Sequence, residues 1–527
     1  MLRGRPGLSA VNPVFLEELQ VSIAYLSRTN QATFHNDAMS CYDRIIIALA
    51  NLVARRFGMP EEIARLHGTT LEQMRYYVST AMGILEDSYQ HSDDNPVYGT
   101  GQGSCSSPSI WLQICSILFD CHNQRSYGAH YTTPDRERHF KAGMTGFVDD
   151  TRSQTNDMMH AAPLPLRQLI DRLQVDAQLW GDLLHVSGGA LEVPKCNYYV
   201  MQWRFLPSGI PSLETNVNTT LRIENGDRTA IVTVKNDTIT VAHKTLGNWK
   251  LAARDQIKQV SVLTEKSNEY SRIIMASPVT RVDNWTAYYS VYLPKMTFVL
   301  PTSYISEDKL YKIDQRAIGA TLCKGGFVPS FPRKVAFGPE KYGGISMRPL
   351  WIEQLIQQIL AVLKHLRCSG ECHDMLGIML AWAQLETGMG FPLLNEPSFP
   401  VPHLECDWLQ SIRTGMASID ARIEIHAPMV YLPRRMDDSH IMDGISLCKI
   451  FTKTEVRRIN ACRLYLQVTL NVRPCNTLRK AHEPTILPWR SHAPMQLAIS
   501  NVSAPGATRS EILGILEERP QSSLSSR

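Results

Sequence analysis

The feature that most constrains this chain is a pair of adjacent aspartates, Asp149 and Asp150, that the sequence places at the tip of a β-hairpin. Residues 144–147 have the composition of a strand, and residues 151–154 can return as its partner. Two carboxylates this close repel each other unless a cation neutralises them. Such carboxylates hold two divalent ions roughly 3.5–4 Å apart in two-metal catalysis at phosphates. Asp is also common in plain polar turns, so the hairpin alone leaves both interpretations open.

The length of 527 residues is enough for roughly two to four domains with well-formed cores. No apolar run reaches the roughly 18 residues that span a bilayer, which predicts that the chain has no membrane partner. Residues 1–13 contain two arginines but no apolar stretch, and the twelve cysteines lack paired spacing. Both observations favour an intracellular protein, in the nucleus or the cytoplasm, over a secreted one.

One group of potential metal ligands, His365, Cys368, Cys372 and His373, has to be weighed as a zinc site. It lacks the second Cys/His pair that completes a zinc knuckle. An ordinary helix end at Ser369-Gly370 accounts for the same residues and is favoured.

Charge is unevenly distributed along the chain. Residues 1–206 carry 17 Lys and Arg against 21 Asp and Glu, and the remaining residues carry 37 against 29. An acidic first part suits metal-binding carboxylates, and a basic second part suits contacts with phosphates. The overall charge of +4 is too small to identify a partner by itself.

Hydrophobic periodicity and turn residues predict the elements before residue 206. Helices are expected at residues 11–26, 39–57, 69–87, 108–122 and 164–186, and strands at 31–36 and 198–205. Ser107 is expected to cap the fourth helix. The glycine-rich segment 99–103 before it allows a ligand to approach the backbone closely, although an ordinary turn explains it too. Lys195 is expected in a turn before the last strand.

Beyond residue 206 the pattern changes twice. Alternating residues and Asn-Gly or Asn-Asp turns predict a β-meander with strands at 221–223, 231–234 and 238–241. Helical periodicity then dominates, most clearly at 285–299, 307–322, 351–366, 375–386, 408–423 and 454–466. The chain is therefore divided into residues 1–206, 207–250, 251–475 and a tail of 476–527, whose Pro, Ser and Arg content predicts poor order.

Taken together, three stretches resemble the first three palm motifs of reverse transcriptases, and most closely those of the non-LTR (LINE-type) retrotransposon branch. They are Asn36-Asp37 to Tyr42-Asp43-Arg44, Gly101-Gln102-Gly103-Ser104 and Phe147-Val148-Asp149-Asp150. Residues 191–195 and 201–205 resemble the two motifs that follow, and 243–247 resembles the Leu-Gly stretch after the palm. The resemblance covers about residues 30–250. It implies an α+β fold, in which an antiparallel palm sheet with packed helices precedes a largely helical thumb and connection region.

The resemblance also implies an RNA-directed DNA polymerase that uses two Mg²⁺ ions, an RNA template, a DNA primer and deoxynucleoside triphosphates. Asp37, Asp149 and Asp150, with the carbonyl of Ala38, would hold the ions, and Lys195 would neutralise or protonate pyrophosphate. Tyr42 would exclude a 2′-hydroxyl. The remaining substrate contacts implied by the motifs are Gln102, Gly103, Ser104, Phe147, Trp203 and Phe205.

The chain departs from the family pattern in ways that leave two alternatives open. Only about thirty residues precede Asp37, which implies that the fingers segment is missing or nearly so, as in an N-terminally truncated element. Gly101 stands where related enzymes often carry proline, and endonuclease and ribonuclease H motifs are not found. A catalytically inactive, nucleic-acid-binding relic is therefore one alternative. An unrelated metal-dependent phosphodiesterase that uses Asp37, Asp149 and Asp150 is the other.

Overall fold

A computed structural model describes residues 9–90, 99–100, 104–147, 150–160, 162–205, 211–425, 439–448, 450–466 and 470–471. Its α-helices are α1 Val11–Ser27, α2 Ile47–Arg56, α3 Glu61–Glu72, α4 Ser107–Arg125, α5 Leu166–Val186, α6 Ile257–Ala276, α7 Arg281–Ala287, α8 Leu293–Thr297, α9 Glu307–Lys324, α10 Arg333–Phe337, α11 Leu350–Arg367, α12 Glu371–Thr387, α13 Asp407–Ser418, α14 Ile441–Leu447 and α15 Lys453–Leu466. The tail predicted for residues 476–527 lies outside the described residues.

The strands are mostly short. They are β1 Gln31–Asp37, β2 Arg75–Thr80, β3 Gly83–Gln90, β4 Ala129–Thr132, β5 His139–Ala142, β6 Thr145–Phe147, β7 Asp150–Asn156, β8 Asn197–Met201, β9 Trp203–Phe205, β10 Pro211–Leu213, β11 Leu221–Glu224, β12 Ile231–Asn236, β13 His243–Thr245, β14 Asn248–Lys250, β15 Ser439–His440 and β16 Leu470–Asn471. The predicted α+β class is confirmed, because an antiparallel-dominated sheet with packed helices precedes a largely helical region.

The central sheet has six strands in the order β11-β12-β8-β1-β7-β6. Every described pairing in it is antiparallel except that between β12 and β8. β1 therefore lies in the middle, between β8 and β7, and both of its faces are covered. Side chains alternate along a strand, so Ala32 and Phe34 face α5, whereas His35 lies on the opposite face beside Tyr199.

Helix α1 joins the sheet to the helical region. Its residues Phe15, Leu16, Leu19 and Ile23 pack in one core with α11, α12 and α13. Val21 and Ala24 contact Tyr199 and Met201 of β8 instead. The helix is buried on nearly every side, and its buried residues include the polar Glu17, Glu18 and Gln20. Among the described residues, no helix has both the length and the apolarity needed to cross a membrane.

Two of the predicted helices are wrong in position. The helix predicted at 69–87 is replaced by the end of α3 and the β2–β3 hairpin, because Tyr76, Tyr77 and Val78 favour a strand and Gly83 turns the chain at φ +129°. The helix predicted from residue 39 begins at Ile47, since residues 39–44 form a turn in which Ser40 has φ +45°.

Smaller differences concern caps and ends. Ser107 does not cap α4 but lies inside it, and its hydroxyl donates to the carbonyl of Thr100 at 2.9 Å. The third meander strand, predicted at 238–241, is wrong, because that segment is a turn that leads into the β13–β14 hairpin. The helix predicted to reach residue 423 ends at Ser418, and Asp420 follows it with φ +52°.

Candidate active site

Two of the predicted acidic residues lie side by side at one end of the central sheet. Asp37 is the last residue of β1, and its direct partner across the antiparallel pair is Asp150, the first residue of β7. Directly opposed residues have Cβ atoms about 5 Å apart, so the two side chains share one surface. Phe147, at the end of β6, is also paired with Asp150. Val148 and Asp149 lie outside the described residues, and the role predicted for Asp149 stays a prediction.

The chain segment before β8 holds Asp37 from the other side. The amide of Glu192 donates to the carbonyl of Asp37 at 2.9 Å, and Ala38 forms an isolated β-bridge with Leu191. The 3₁₀ turn Val193–Lys195 then brings the Lys195 ammonium to 2.9 Å from Asp37 Oδ2. Since the Lys195 side chain is 67% exposed, this ion pair can open when a ligand arrives.

These residues line an open cleft with a volume of about 200 Å³. Its wall is made by Pro13, His35, Asn36, Asp37, Thr145, Gly146, Phe147, Asp150, Thr151, Arg152, Lys195, Asn197, Lys244, Thr245 and Leu246. The last three belong to the β13–β14 hairpin, whose turn is formed by Leu246 (φ +50°) and Gly247 (φ +85°). Among these lining residues, Asp37 and Asp150 supply the carboxylates, and two lysines and an arginine supply cations. Carboxylates are the hard oxygen ligands that Mg²⁺ prefers, so the residues present fit that ion.

A buried polar layer supports the floor of the cleft. The Trp180 indole N–H donates to Asn36 Oδ1 at 2.8 Å, and the Thr151 hydroxyl donates to the same oxygen. Arg152 Nη1 lies 2.7 Å from Glu17 Oε2 of α1. Burial alone would raise the pKa of Glu17, but the Arg152 guanidinium outweighs it with smaller contributions from other cations, and the pKa is lowered. Residues adjacent to both predicted aspartates are thus locked by hydrogen bonds.

Two stacked histidines at the cleft, of which His35 lines the wall, are uncharged at neutral pH. His35 and His243 stack with ring centroids 5.2 Å apart, and Tyr199 stacks on His243 at 5.5 Å. Burial lowers the pKa of His35 to about 3 and also lowers that of His243. The positively charged side chains that line the cleft are therefore those of Lys195, Lys244 and Arg152. Prediction from sequence missed His35, Arg152 and Lys244, because a single basic residue in a strand or hairpin carries no local signal.

Gly99 and Thr100, directly before the second predicted motif, lie beside the first motif and do not line the cleft. The amide of Thr100 donates to the carbonyl of Tyr42 at 2.9 Å, and Gly99 packs against the backbone of Asp43. Tyr42 is half-buried against the core of α2 and α4, and Ser104 Oγ lies 3.0 Å from Ser106 Oγ. Neither Tyr42 nor Ser104 lines the cleft. Gln102 and Gly103 lie outside the described residues.

The structure places Trp203 in the protein interior. Its ring is 8% exposed, Tyr25 packs edge-on against it at 5.2 Å, and the Arg28 guanidinium covers it at 5.0 Å. The predicted contact with a primer terminus would require this packing to open. For Phe205 the backbone pairs with Pro211, and its side chain is outside the described residues.

The candidate zinc ligands lie at a junction between two helices. α11 ends at Arg367 and α12 begins at Glu371, which is the helix end predicted at Ser369-Gly370. His365 stacks on Phe15 at 5.0 Å, and burial lowers its pKa to about 4. Within the described part of the chain, no group of three or more His, Cys, Asp and Glu is arranged to hold a metal ion.

Comparison with known proteins gives a distant likeness to solved structures. No family model matches the chain, and no curated protein matches it. Among solved structures, the chain is similar to telomerase from Candida albicans in complex with a TWJ fragment of telomeric RNA, at 12% identity and a TM-score of 0.28. The match covers 76% of this chain and 52% of that one, so the chain spans about half the length of its neighbour. At this distance no residue role is carried over from it.

Proposed function

We propose that the cleft is the active site of an RNA-directed DNA polymerase of the retroelement type. The observation that carries the proposal is the direct pairing of Asp37 with Asp150, which are more than a hundred residues apart in sequence. Like charges are costly to bring together, and a structure that opposes two carboxylates at an open cleft suits a cation site. The three sequence motifs assign that site to nucleotidyl transfer.

In this proposal Asp37, Asp150 and Asp149, with the carbonyl of Ala38, would hold two Mg²⁺ ions. When bound, the ions would lower the pKa of the primer 3′-hydroxyl and neutralise the triphosphate. Without ligands, the Lys195 ammonium supplies positive charge at Asp37. On substrate binding Lys195 is released, and its Nζ donates a proton or a hydrogen bond to the leaving pyrophosphate.

The cations of the cleft would bind the triphosphate. Lys195, before β8, and Lys244, on β13, both line the cleft, so phosphate oxygens bound there would meet ammonium groups from two separate segments of the chain. Arg152 also lines the cleft, and its guanidinium is held in a fixed position by Glu17. RNA template and DNA primer would be bound through backbone contacts and shape rather than base sequence.

Primer extension on an RNA template with Mg²⁺ and deoxynucleoside triphosphates tests this function. Asp150→Asn and Asp37→Asn keep the size of each side chain but remove its charge. Loss of several kcal/mol of transition-state stabilisation would lower the incorporation rate by roughly three orders of magnitude. Asp87→Asn is the matched control, since Asp87 is exposed in β3, away from the cleft, and should leave the rate unchanged. Equal rates for wild type and Asp150→Asn would refute the proposal.

One observation favours the second candidate, a nucleic-acid-binding relic. The Lys195–Asp37 ion pair neutralises one carboxylate with a residue of the chain itself, so the site is stable without metal. For such a protein we expect no incorporation by the wild type, together with binding of an RNA–DNA duplex that weakens steeply with salt.

A further inference from the structure

The loop that joins α10 to α11 is exposed yet closely hydrogen-bonded. After α10 the chain turns back, and the amide of Met347 donates to the carbonyl of Ala336 at 2.9 Å. The amide of Ser346 donates to the carbonyl of Gly338 at 2.8 Å. These bonds fold residues 336–347 into a compact loop whose backbone is fixed. We call it the α10–α11 loop.

Glycines at the tip determine the shape of this loop. Gly343 has φ +83°, and a Cβ added at Gly344 would lie 1.9 Å from the carbonyl oxygen of Gly338. Only glycine fits such a close approach of two backbone segments. On the inner side the Tyr289 hydroxyl donates to the carbonyl of Ser346 at 3.1 Å and ties the loop to the helices below. Tyr342, directly before the two glycines, is therefore presented on a rigid turn.

Tyr342 is the most exposed aromatic residue on this loop, with 79% of its surface accessible. The Lys341 ammonium lies 4.7 Å from the centre of its ring, which leaves the opposite face of the ring available to a ligand. Exposed aromatic rings on ordered loops are platforms on which nucleic-acid bases stack, and a neighbouring cation strengthens the contact.

The charge of the segment indicates the chemistry of its ligand. Residues 324–348 contain five Lys and Arg and a single acid, Glu340. Lys334 on α10 and Lys341 on the loop are both exposed. The β2–β3 hairpin provides a contrast: its Tyr77 is 52% exposed, but the hairpin carries one arginine against Glu86 and Asp87. Aromatic exposure therefore coincides with positive charge at the α10–α11 loop and with negative charge at the hairpin.

We propose that the α10–α11 loop binds single-stranded nucleic acid. Tyr342 stacks on one base, and the ammonium groups of Lys334 and Lys341 neutralise the phosphates that flank it. The loop shares no residue with the cleft, so this site does not depend on the chemistry proposed there.

Fluorescence anisotropy with a labelled 16-nucleotide RNA of mixed sequence tests the site in the full chain. Tyr342→Ala is expected to weaken binding about tenfold, the usual effect of removing one stacked base, whereas Tyr342→Phe keeps the ring and binds as wild type. Lys334→Gln with Lys341→Gln is expected to lower the slope of log K against log salt by about 1.4, since each phosphate contact on a single strand contributes about 0.7.

Tyr77→Ala is the matched control, because it removes another exposed tyrosine, from the acidic hairpin, and should not change binding. An affinity of Tyr342→Ala equal to that of Tyr77→Ala would overturn the proposal. An equal loss of affinity for a 16-base-pair RNA duplex would also overturn it, because stacking requires an unpaired base. Thermal unfolding of each variant checks that it is folded.

Discussion

Replacing Arg152 by methionine tests whether the floor of the cleft depends on one buried ion pair. The Arg152 and Glu17 side chains are 6% and 3% exposed, and their charged atoms lie 2.7 Å apart. Removing one partner of a buried pair leaves the other charge desolvated, which costs about 3–5 kcal/mol. Gln20 also loses the hydrogen bond that Arg152 Nη2 donates at 2.8 Å, so we expect the upper half of this range.

Hydrogen exchange of the β1 and β7 amides measures this loss of stability in the strands that form the floor of the cleft. Because 1.4 kcal/mol corresponds to a factor of ten, amides that exchange through opening of this region should exchange roughly three to four orders of magnitude faster in Arg152→Met. Amides of α9, which belongs to the separate core around Leu310 and Ile313, should be protected as in the wild type. A change of less than about fivefold in β1 and β7, roughly 1 kcal/mol, would refute the reasoning.

Two further variants and a pH series test whether the broken Arg152–Glu17 ion pair is the cause of the faster exchange. Arg152→Met combined with Glu17→Gln removes both charges and should recover most of the protection. Arg204→Met breaks a surface pair with Glu214 and should have little effect. The pKa of Glu17 is lowered in the folded wild type, so its contribution is present above its ordinary pKa and is lost as pH falls through the folded pKa. In Arg152→Met, Glu17 becomes protonated more readily, and the difference from the wild type should shrink as pH falls from 7 towards 4.

Two further predictions concern single side chains. Lys195→Met should leave the Tm unchanged, because the Lys195 side chain is 67% exposed. The same variant should lower the incorporation rate in primer extension about a hundredfold. A fall in Tm with an unchanged rate would mean that the lysine has only a structural role. Burial raises the pKa of Asp176 to about 6, although the hydrogen bonds from the amides of Gly128 and Tyr127 oppose this rise. The contribution of Asp176 to the stability of the fold is therefore present at low pH and is lost as pH rises through 6. The Tm of the wild type should therefore fall relative to that of Asp176→Asn between pH 4 and pH 7, and a pH-independent difference in Tm would contradict the assignment.

The elements with strong local signals were predictable from sequence. Apolar periodicity located α1, α5, α9, α11 and α12 within a few residues, because the signal for a helix repeats over many turns. The hairpin at Asp150 and the turn at Lys195 were predictable from turn residues and strand composition. The segment 69–90 was not, because its helix-forming residues sit next to a run of β-formers, and the turn at Gly83 decides between them.

For the functional residues, too, some properties were predictable from sequence and others depend on the tertiary structure. The amino-acid sequence by itself determined which acids were candidates and in what order they occur, since motif residues are close neighbours along the chain. Only the tertiary structure decided that Asp37 opposes Asp150, that Lys195 reaches Asp37, and that Trp203 is covered by Arg28. The physical reason is that strand register and side-chain packing depend on contacts between residues far apart in sequence, where a shift of one residue would turn Asp37 to the opposite face of the sheet.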